Sequence, residues 1–167
     1  MSRGFIKEDD QEEIPIVPPR ADLPEGVTNY VTPMGMKALL EEKQHLLEEI
    51  SNLDTSNESE RRIAVNHINA KLQLLTNRIV TAKTIALKEQ PQDEIRFGAK
   101  VILRVMATNK IQKFQIVGVD EADILHGKIS FISPLAKILI RKRVGDQAVL
   151  RLAKEDRVFE IMDINYE

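Results

Sequence analysis

The sequence predicts an α+β fold, in which an N-terminal antiparallel helical coiled-coil hairpin is followed by a small antiparallel β-sheet domain with one helix. Two observations predict it. Apolar residues recur at alternating spacings of three and four between residues 32 and 87, which is typical of a coiled-coil seam. After an apolar-free segment that contains Pro91, the spacing changes to the alternation of β-strands. These changes place an acidic, proline-containing flexible arm at 1–31, the hairpin at 32–88, a linker at 89–94 and a C-terminal domain at 95–167.

The arm is predicted from its composition. It combines an acidic cluster with Pro15, Pro18, Pro19 and Pro24. Prolines interrupt regular helices, and a segment with few apolar residues cannot bury enough surface to fold alone. We therefore expect an extended or disordered segment here.

The hairpin is predicted to contain about 21 residues in each helix and to project ~30 Å. Thr32 followed by Pro33 is a helix-start signal, and Thr55 with Glu58 fits a capping box for the second helix. An antiparallel pairing of the two seams puts the turn near Ser59. The seam positions are Met36, Leu39, Lys43, Leu46, Ile50 and Leu53 in the first helix, and Val65, Ile68, Leu72, Leu75, Ile79, Ala82 and Ala86 in the second.

The C-terminal domain is predicted to hold one antiparallel sheet and one helix. Ser133 is a capping residue, and Pro134 suits the first position of a helix that continues to Ile140. Thr108 to Lys110 form a plausible hairpin turn between the first two strands. Strands are expected at Lys100–Met106, Gln112–Val117, Lys128–Ile132, Gln147–Leu152 and Arg157–Tyr166.

The composition excludes several classes of function. The absence of cysteine removes disulfides, thiolate catalysis and cysteine-based zinc sites, and the three histidines lack metal-ligand spacing. A net charge of -2 gives no general attraction to nucleic acid, so RNA or DNA is expected to be contacted only indirectly or weakly. No apolar run suits a membrane span or a secretory signal. We expect a cytoplasmic protein with no membrane partner.

Separated blocks in the second half of the chain follow one another in a recognisable order. They are Phe97-Gly98-Ala99, residues 116–123 (Ile-Val-Gly-Val-Asp-Glu-Ala-Asp), Gly127-Lys128-Ile129-Ser130, Ser133-Pro134-Leu135-Ala136, Val144-Gly145-Asp146 and Ile164-Asn165-Tyr166. With these blocks, the second half of the chain resembles the bacterial Gre transcription elongation factors, GreA and GreB. The Thr32-x-x-Gly35 entry into the hairpin adds to the resemblance, which runs from about Tyr30 to the C-terminus.

The resemblance implies an FKBP-like C-terminal domain and a hairpin that enters the secondary channel of bacterial RNA polymerase. In that family, acidic side chains at the hairpin tip help to hold a second magnesium ion in the polymerase active site, where it promotes cleavage of a backtracked transcript. Carboxylate oxygens are suitable ligands for this hard cation. The chain is then no enzyme and has no cofactor of its own, although it could share magnesium with the polymerase. We expect it to be a monomer.

The tip departs from the family pattern. When the chain is aligned on Leu53, residues Ser51, Asn52, Thr55 and Ser56 stand where the family has glycine, the first acid, the second acid and asparagine. The hairpin is also shorter by roughly one helical turn per arm, or ~5.4 Å. The remaining candidates for a shared magnesium site are Asp54, Glu58 and Glu60, which could equally serve only as helix-capping residues.

A second group of candidates follows the predicted second strand. Its acids could form an exposed patch that docks on a basic surface of the polymerase, beside the predicted helix cap, or they could be an ordinary acidic turn. The candidate contacts are Asp120, Glu121, Asp123, Ser133 and Pro134.

These observations lead to one main functional hypothesis and several alternatives. The chain is expected to bind RNA polymerase and act on paused or backtracked complexes, with cleavage stimulation in one version and channel binding without cleavage in the other. Other classes are an FKBP-type prolyl isomerase or chaperone, which needs an aromatic-walled pocket, and a coiled-coil adaptor unrelated to polymerase.

Overall fold

A computed structural model describes residues 14–54 and 56–167. Two long helices are followed by a β-sheet domain with one further α-helix, which confirms the predicted fold class. No helix in these two ranges is long and apolar enough to cross a membrane. The elements are β1 (Tyr30–Val31), α1 (Pro33–Ser51), α2 (Glu58–Thr81), β2 (Lys83–Thr84), β3 (Lys100–Val105), β4 (Ile111–Val117), β5 (Lys128–Ser130), α3 (Pro134–Leu139), β6 (Gln147–Arg151) and β7 (Asp156–Asn165), with short 3-10 turns at Leu87–Glu89 and Ile124–His126.

Both hairpin helices begin at a capping side chain. The Thr32 hydroxyl accepts a hydrogen bond from the Gly35 amide at 2.9 Å, and Pro33 occupies the first turn, as predicted. For α2, the cap is Asn57, whose side-chain oxygen accepts from the amide of Glu60 at 3.1 Å. The predicted capping box cannot be compared, because Thr55 lies outside the described residues.

The turn and the end of the second helix differ from the prediction. Residues 52–57 connect the helices, so Ser59 lies in the first turn of α2, and the predicted turn centre is wrong. Because Asn57 caps α2, this helix begins earlier than the antiparallel pairing of the two seams predicted. Helix α2 ends at Thr81 because Ala82 is already extended, which leaves Ala86 outside the helix.

The predicted seam forms a separate hydrophobic core between the helices. Its buried members include Leu39 and Leu46 from α1 with Ile68 and Leu75 from α2. Met36, Ile50, Leu53, Leu72, Ile79 and Ala82 pack against them. The three-four spacing therefore identified the packed face of each helix correctly at most of its positions.

A two-stranded parallel ladder closes the base of the hairpin. Tyr30 pairs with Lys83, and Val31 pairs with Thr84. Parallel strands require a crossover connection, and here the two hairpin helices provide it. The chain segments that enter and leave the hairpin are thus joined by backbone hydrogen bonds, a feature that the sequence did not predict.

The main sheet has the strand order β5-β4-β3-β7-β6. Its strands match the predicted segments within two residues at each end. All neighbours are antiparallel except β4 and β5, which are parallel. The prediction of a purely antiparallel sheet is wrong at this edge, because residues 118–127 carry the chain back along the sheet before β5 begins.

Aromatic residues fill the core of the sheet domain and link it to the hairpin. The ring of Tyr30, from β1, lies 5.8 Å from Phe97 and 5.6 Å from Phe131 between centroids. The five aromatic residues of this domain are either buried in its core or packed against it: Phe97, Phe114, Phe131, Phe159 and Tyr166. Since their rings pack against the protein itself, this arrangement does not favour the prolyl isomerase hypothesis.

Candidate functional site

The hairpin tip carries the three acids predicted as candidate metal ligands. Asp54, Glu58 and Glu60 are all exposed there. Asp54 is engaged locally: its Oδ1 accepts from the amide of Ser56 at 2.9 Å, and its Oδ2 accepts from the Ser56 hydroxyl at 3.0 Å. This is an Asx-type turn, in which the carboxylate shapes the backbone of the loop.

Glu58 and Glu60 lie in the first turn of α2, two residues apart. At ~100° per residue, their side chains leave the helix about 200° apart and do not face each other. A regular helix therefore does not bring these two carboxylates together on one ion. Both carboxylates are instead placed to stabilise the positive end of the helix dipole.

No group of three or more metal-ligating side chains comes together in the parts of the chain that the structure describes. Magnesium requires near-octahedral oxygen coordination with little tolerance for distance. An Asx-turn carboxylate and two diverging glutamates do not fit a preformed magnesium site.

Two basic residues, which the sequence analysis did not single out, lie beside these acids. A shallow groove near the tip is lined by Glu58, Ser59, Arg61, Arg62 and Val65. Arg61 and Arg62 follow Glu60 directly, so the signal in the sequence was a pair of basic residues within one helical turn of the two acids. Nearby guanidinium groups reduce the affinity of a carboxylate for a second cation.

The acids after β4 are not the exposed patch that was predicted. The Asp120 side chain is only 7% exposed, and its Oδ1 accepts from Arg20 Nε at 3.0 Å. Arg78 on α2 pairs with the other oxygen at 3.5 Å. Asp120 thus joins the sheet domain to the base of the hairpin, and the expectation of an exposed contact is wrong for it.

Glu121 is also used within the protein. The Thr32 hydroxyl donates to both carboxylate oxygens of Glu121, at 3.1 Å to Oε2. This carboxylate lies so close to the start of α1 that a Cβ on Gly35 would be 2.8 Å from its Oε1. Glu121 therefore stabilises the positive end of the α1 dipole from the sheet domain.

The remaining predicted contacts lie at or near the surface. Asp123 pairs with His126 at 2.5 Å, and this hydrogen bond lowers the pKa of the Asp123 carboxyl. The Ser133 side chain caps α3 by accepting from the Ala136 amide at 3.3 Å, and Pro134 is exposed. Whether any of the five candidates contacts a polymerase stays a prediction.

Two apolar side chains beside Asp123 were missed by sequence reasoning. Ile124 is 79% exposed and Leu125 is 94% exposed, both in the 3-10 turn before β5. Adjacent exposed aliphatic residues are a common feature of protein-binding surfaces. The signal in the sequence was an apolar pair inside an otherwise polar turn.

Comparison with known proteins agrees with the resemblance seen in the sequence. A family model described as "Transcription elongation factor, GreA/GreB, C-term" matches residues 90–166. The chain is 32% identical over 152 residues to transcription elongation factor GreA of Thermodesulfovibrio yellowstonii, covering 82% of this chain and 96% of that protein. It is 31% identical over 154 residues to transcription elongation factor GreB of Neisseria meningitidis, covering 83% and 94%.

Among solved structures, GreA factor homolog 1 of Thermus thermophilus matches 83% of this chain and 99% of its own, with a TM-score of 0.40 and 23% identity. The sequence relatives exceed 30% identity over nearly their whole length. This chain belongs to the GreA/GreB family of transcription elongation factors.

Proposed function

We propose that this chain binds RNA polymerase as an elongation factor, that its hairpin enters the secondary channel, and that it regulates elongation by occupying the channel without delivering metal ligands. It acts as an accessory factor and not as an enzyme. Family membership supports the first part, since the relatives are transcription elongation factors. The rigid hairpin supports the second, because 24 residues of α2 span ~36 Å.

The geometry of the tip acids supports the third part. Asp54 is held by Ser56 at both carboxylate oxygens, and Glu58 and Glu60 leave the helix in different directions. A second magnesium ion needs oxygens that converge at about 2 Å. Occupying the channel needs only the length and stiffness of the hairpin.

Transcript cleavage on stalled elongation complexes tests this proposal. At saturating magnesium, we expect the parent protein not to accelerate transcript cleavage. The GreA of Thermodesulfovibrio yellowstonii is the positive control, and we expect the parent protein to reduce the effect of that GreA by competing with it for the polymerase. The contrary result is cleavage by the parent that is lost on Asp54→Ala, Glu58→Ala or Glu60→Ala. That result would restore a magnesium ion shared with the polymerase as the function of the tip.

We further propose that the turn containing Asp123, Ile124 and Leu125 contributes to the polymerase contact. Exposed aliphatic side chains can become buried in an interface, and a few such residues carry most of the binding energy. Their exposure also means that replacing them leaves the fold intact.

A binding measurement with core RNA polymerase tests this contact. We expect Leu125→Ser to weaken binding by about tenfold or more, equivalent to ~1.4 kcal/mol. Val149→Ser is the matched control, since Val149 is also an exposed aliphatic residue, on strand β6. Equal affinities of the parent and Leu125→Ser would remove the turn from the interface.

The remaining expectations follow from this function. Such a factor works where transcription occurs, which in bacteria is the cytoplasm. We propose that it acts as a monomer, and sedimentation of the purified protein tests this.

A further inference from the structure

One arginine from the N-terminal segment connects three parts of the molecule. Arg20 Nε donates to Asp120 Oδ1 at 3.0 Å, and its two terminal nitrogens donate to the carboxylate oxygens of Glu42 at 2.7 and 3.0 Å. Glu42 belongs to α1, and Asp120 follows β4 in the sheet domain. A single guanidinium therefore bridges the hairpin and the sheet domain.

The bridge is shielded from water at Asp120, whose side chain is 7% exposed, and is more open at Glu42, whose side chain is 44% exposed. The side chain of Arg20 is 19% exposed. The second hairpin helix joins it through Arg78, which pairs with Asp120 and donates to the carbonyl oxygen of Ala21. The hydrogen bond to Glu42 is the main cause that raises the pKa of Arg20, so its charge is retained. Bidentate arginine–carboxylate pairs are geometrically specific as well as strong.

The location of Arg20 differs from the prediction of a free arm. Arg20 lies in the predicted flexible arm, and Asn29, from the same segment, is buried and donates to the carbonyl oxygen of Arg78 at 3.0 Å. This part of the predicted arm is attached to the hairpin. It also precedes Tyr30, where the resemblance to the family begins.

We infer that Arg20 is a positioning residue that fixes the angle between the hairpin and the sheet domain. It belongs to neither hydrophobic core, so its role is at the junction between the two bodies. The hairpin acts as a lever: because α2 extends ~36 Å, a rotation of ~10° at the base displaces the tip by about 6 Å. Arg20 has this role in the isolated molecule, whether or not a polymerase is bound.

Distance measurement by pulsed electron spin resonance tests the inference directly. The chain contains no cysteine, so spin labels attach only at introduced positions. Glu49→Cys, about two turns beyond Glu42 near the end of α1, and Lys154→Cys, between β6 and β7, are both exposed, and neither residue belongs to the bridge. The label pair reports the angle between hairpin and sheet domain without any polymerase in the sample.

We expect a single narrow distance distribution for the otherwise unchanged protein. Arg20→Ala should broaden it or shift its mean by up to about 4 Å, because Glu49 lies ~24 Å along α1 from Pro33 and a ~10° rotation displaces it by that amount. Arg20→Lys should give a smaller change, because lysine keeps the charge but cannot contact both carboxylates in a fixed fork. Arg157→Ala, at an exposed arginine of β7, is the matched control and should leave the distribution unchanged.

A folded Arg20→Ala variant with the distribution of the parent would overturn the inference, and so would an equal change in Arg157→Ala. If Arg20→Ala fails to fold, Glu42→Gln provides the second variant. This change weakens the hydrogen bonds between Arg20 and α1, while Arg20 and Arg78 can still pair with Asp120. Glu42→Gln must still broaden or shift the distance distribution for the inference to stand.

Discussion

Replacing Leu75 by alanine is a direct test of what holds the hairpin together. Leu75 is 0% exposed and packs with Leu39, Leu46 and Ile68. The change removes three buried carbons, at ~0.8 kcal/mol each, which gives a transfer term of ~2.4 kcal/mol. The cavity left between two packed helices adds about 1 kcal/mol. We expect the free energy of unfolding to fall by ~3.5 kcal/mol.

The matched control is Leu47→Ala in the other helix of the hairpin. Leu47 is 43% exposed, so only about half of its transfer term is lost, and the space that it leaves is open to water. We expect this variant to lose about 1 kcal/mol. The same chemical change should therefore cost about three times more at the seam than on the solvent-facing side.

Urea unfolding followed by far-ultraviolet circular dichroism measures both losses, because the two long helices dominate that signal. Unchanged m-values would show that stability alone has changed. Equal losses at the two positions, or a loss below ~1 kcal/mol at Leu75, would refute the view that the seam stabilises the hairpin.

Three further substitutions test the junction and the C-terminus. Gly118→Ala would place a Cβ 2.5 Å from the carbonyl oxygen of Tyr30, and the forced displacement should cost 1–3 kcal/mol in urea unfolding, roughly the range for overpacking. Thr32→Ala removes the α1 cap and a donor to Glu121, and thermal unfolding should show a loss of about 1–2 kcal/mol. Burial raises the pKa of Tyr166, so its hydroxyl stabilises the fold fully below the unfolded pKa of about 10, and this contribution is lost as the pH rises through the folded value. The stability advantage of the parent over Tyr166→Phe, measured by urea unfolding, should therefore be constant up to about pH 9 and shrink as the pH rises above about 10.

The parts of the fold that local sequence determines were predicted well. A threonine before a proline caps α1, and Ser133 before Pro134 caps α3 in the same way, because a short polar side chain satisfies free amides of its own helix. Asn109 adopts φ 58 in the predicted turn between β3 and β4, a conformation that asparagine tolerates well. These features depend on neighbours in the chain.

The features that were missed depend on contacts across long separations. Asp120 and Arg20 are 100 residues apart, and nothing near either residue indicates that they pair. The acidic segment after β4 therefore looked exposed, although two arginines and a threonine take up its carboxylates. The β1–β2 pairing is similarly non-local, since the entire hairpin separates its strands.

The tip was only partly predictable for a different reason. The sequence showed which acids are present, but whether two carboxylates converge depends on where the helix begins. Placing the start of α2 at Glu58 puts Glu58 and Glu60 on diverging sides, and the observed connection at residues 52–57 is centred about one helical turn before the predicted centre at Ser59. Small errors in element boundaries thus become decisive for a metal site.

The ladder between β1 and β2 makes the hairpin an insertion whose two ends meet. Adding seven residues to each helix would lengthen it by about 10 Å while leaving the paired strands, and everything mounted on them, in place. Interhelical packing would repeat nearly in phase, because a heptad is close to two full turns. In this architecture, the length of the hairpin can change without changing the paired strands that attach it, so a designer could graft hairpins of different length onto the same sheet domain.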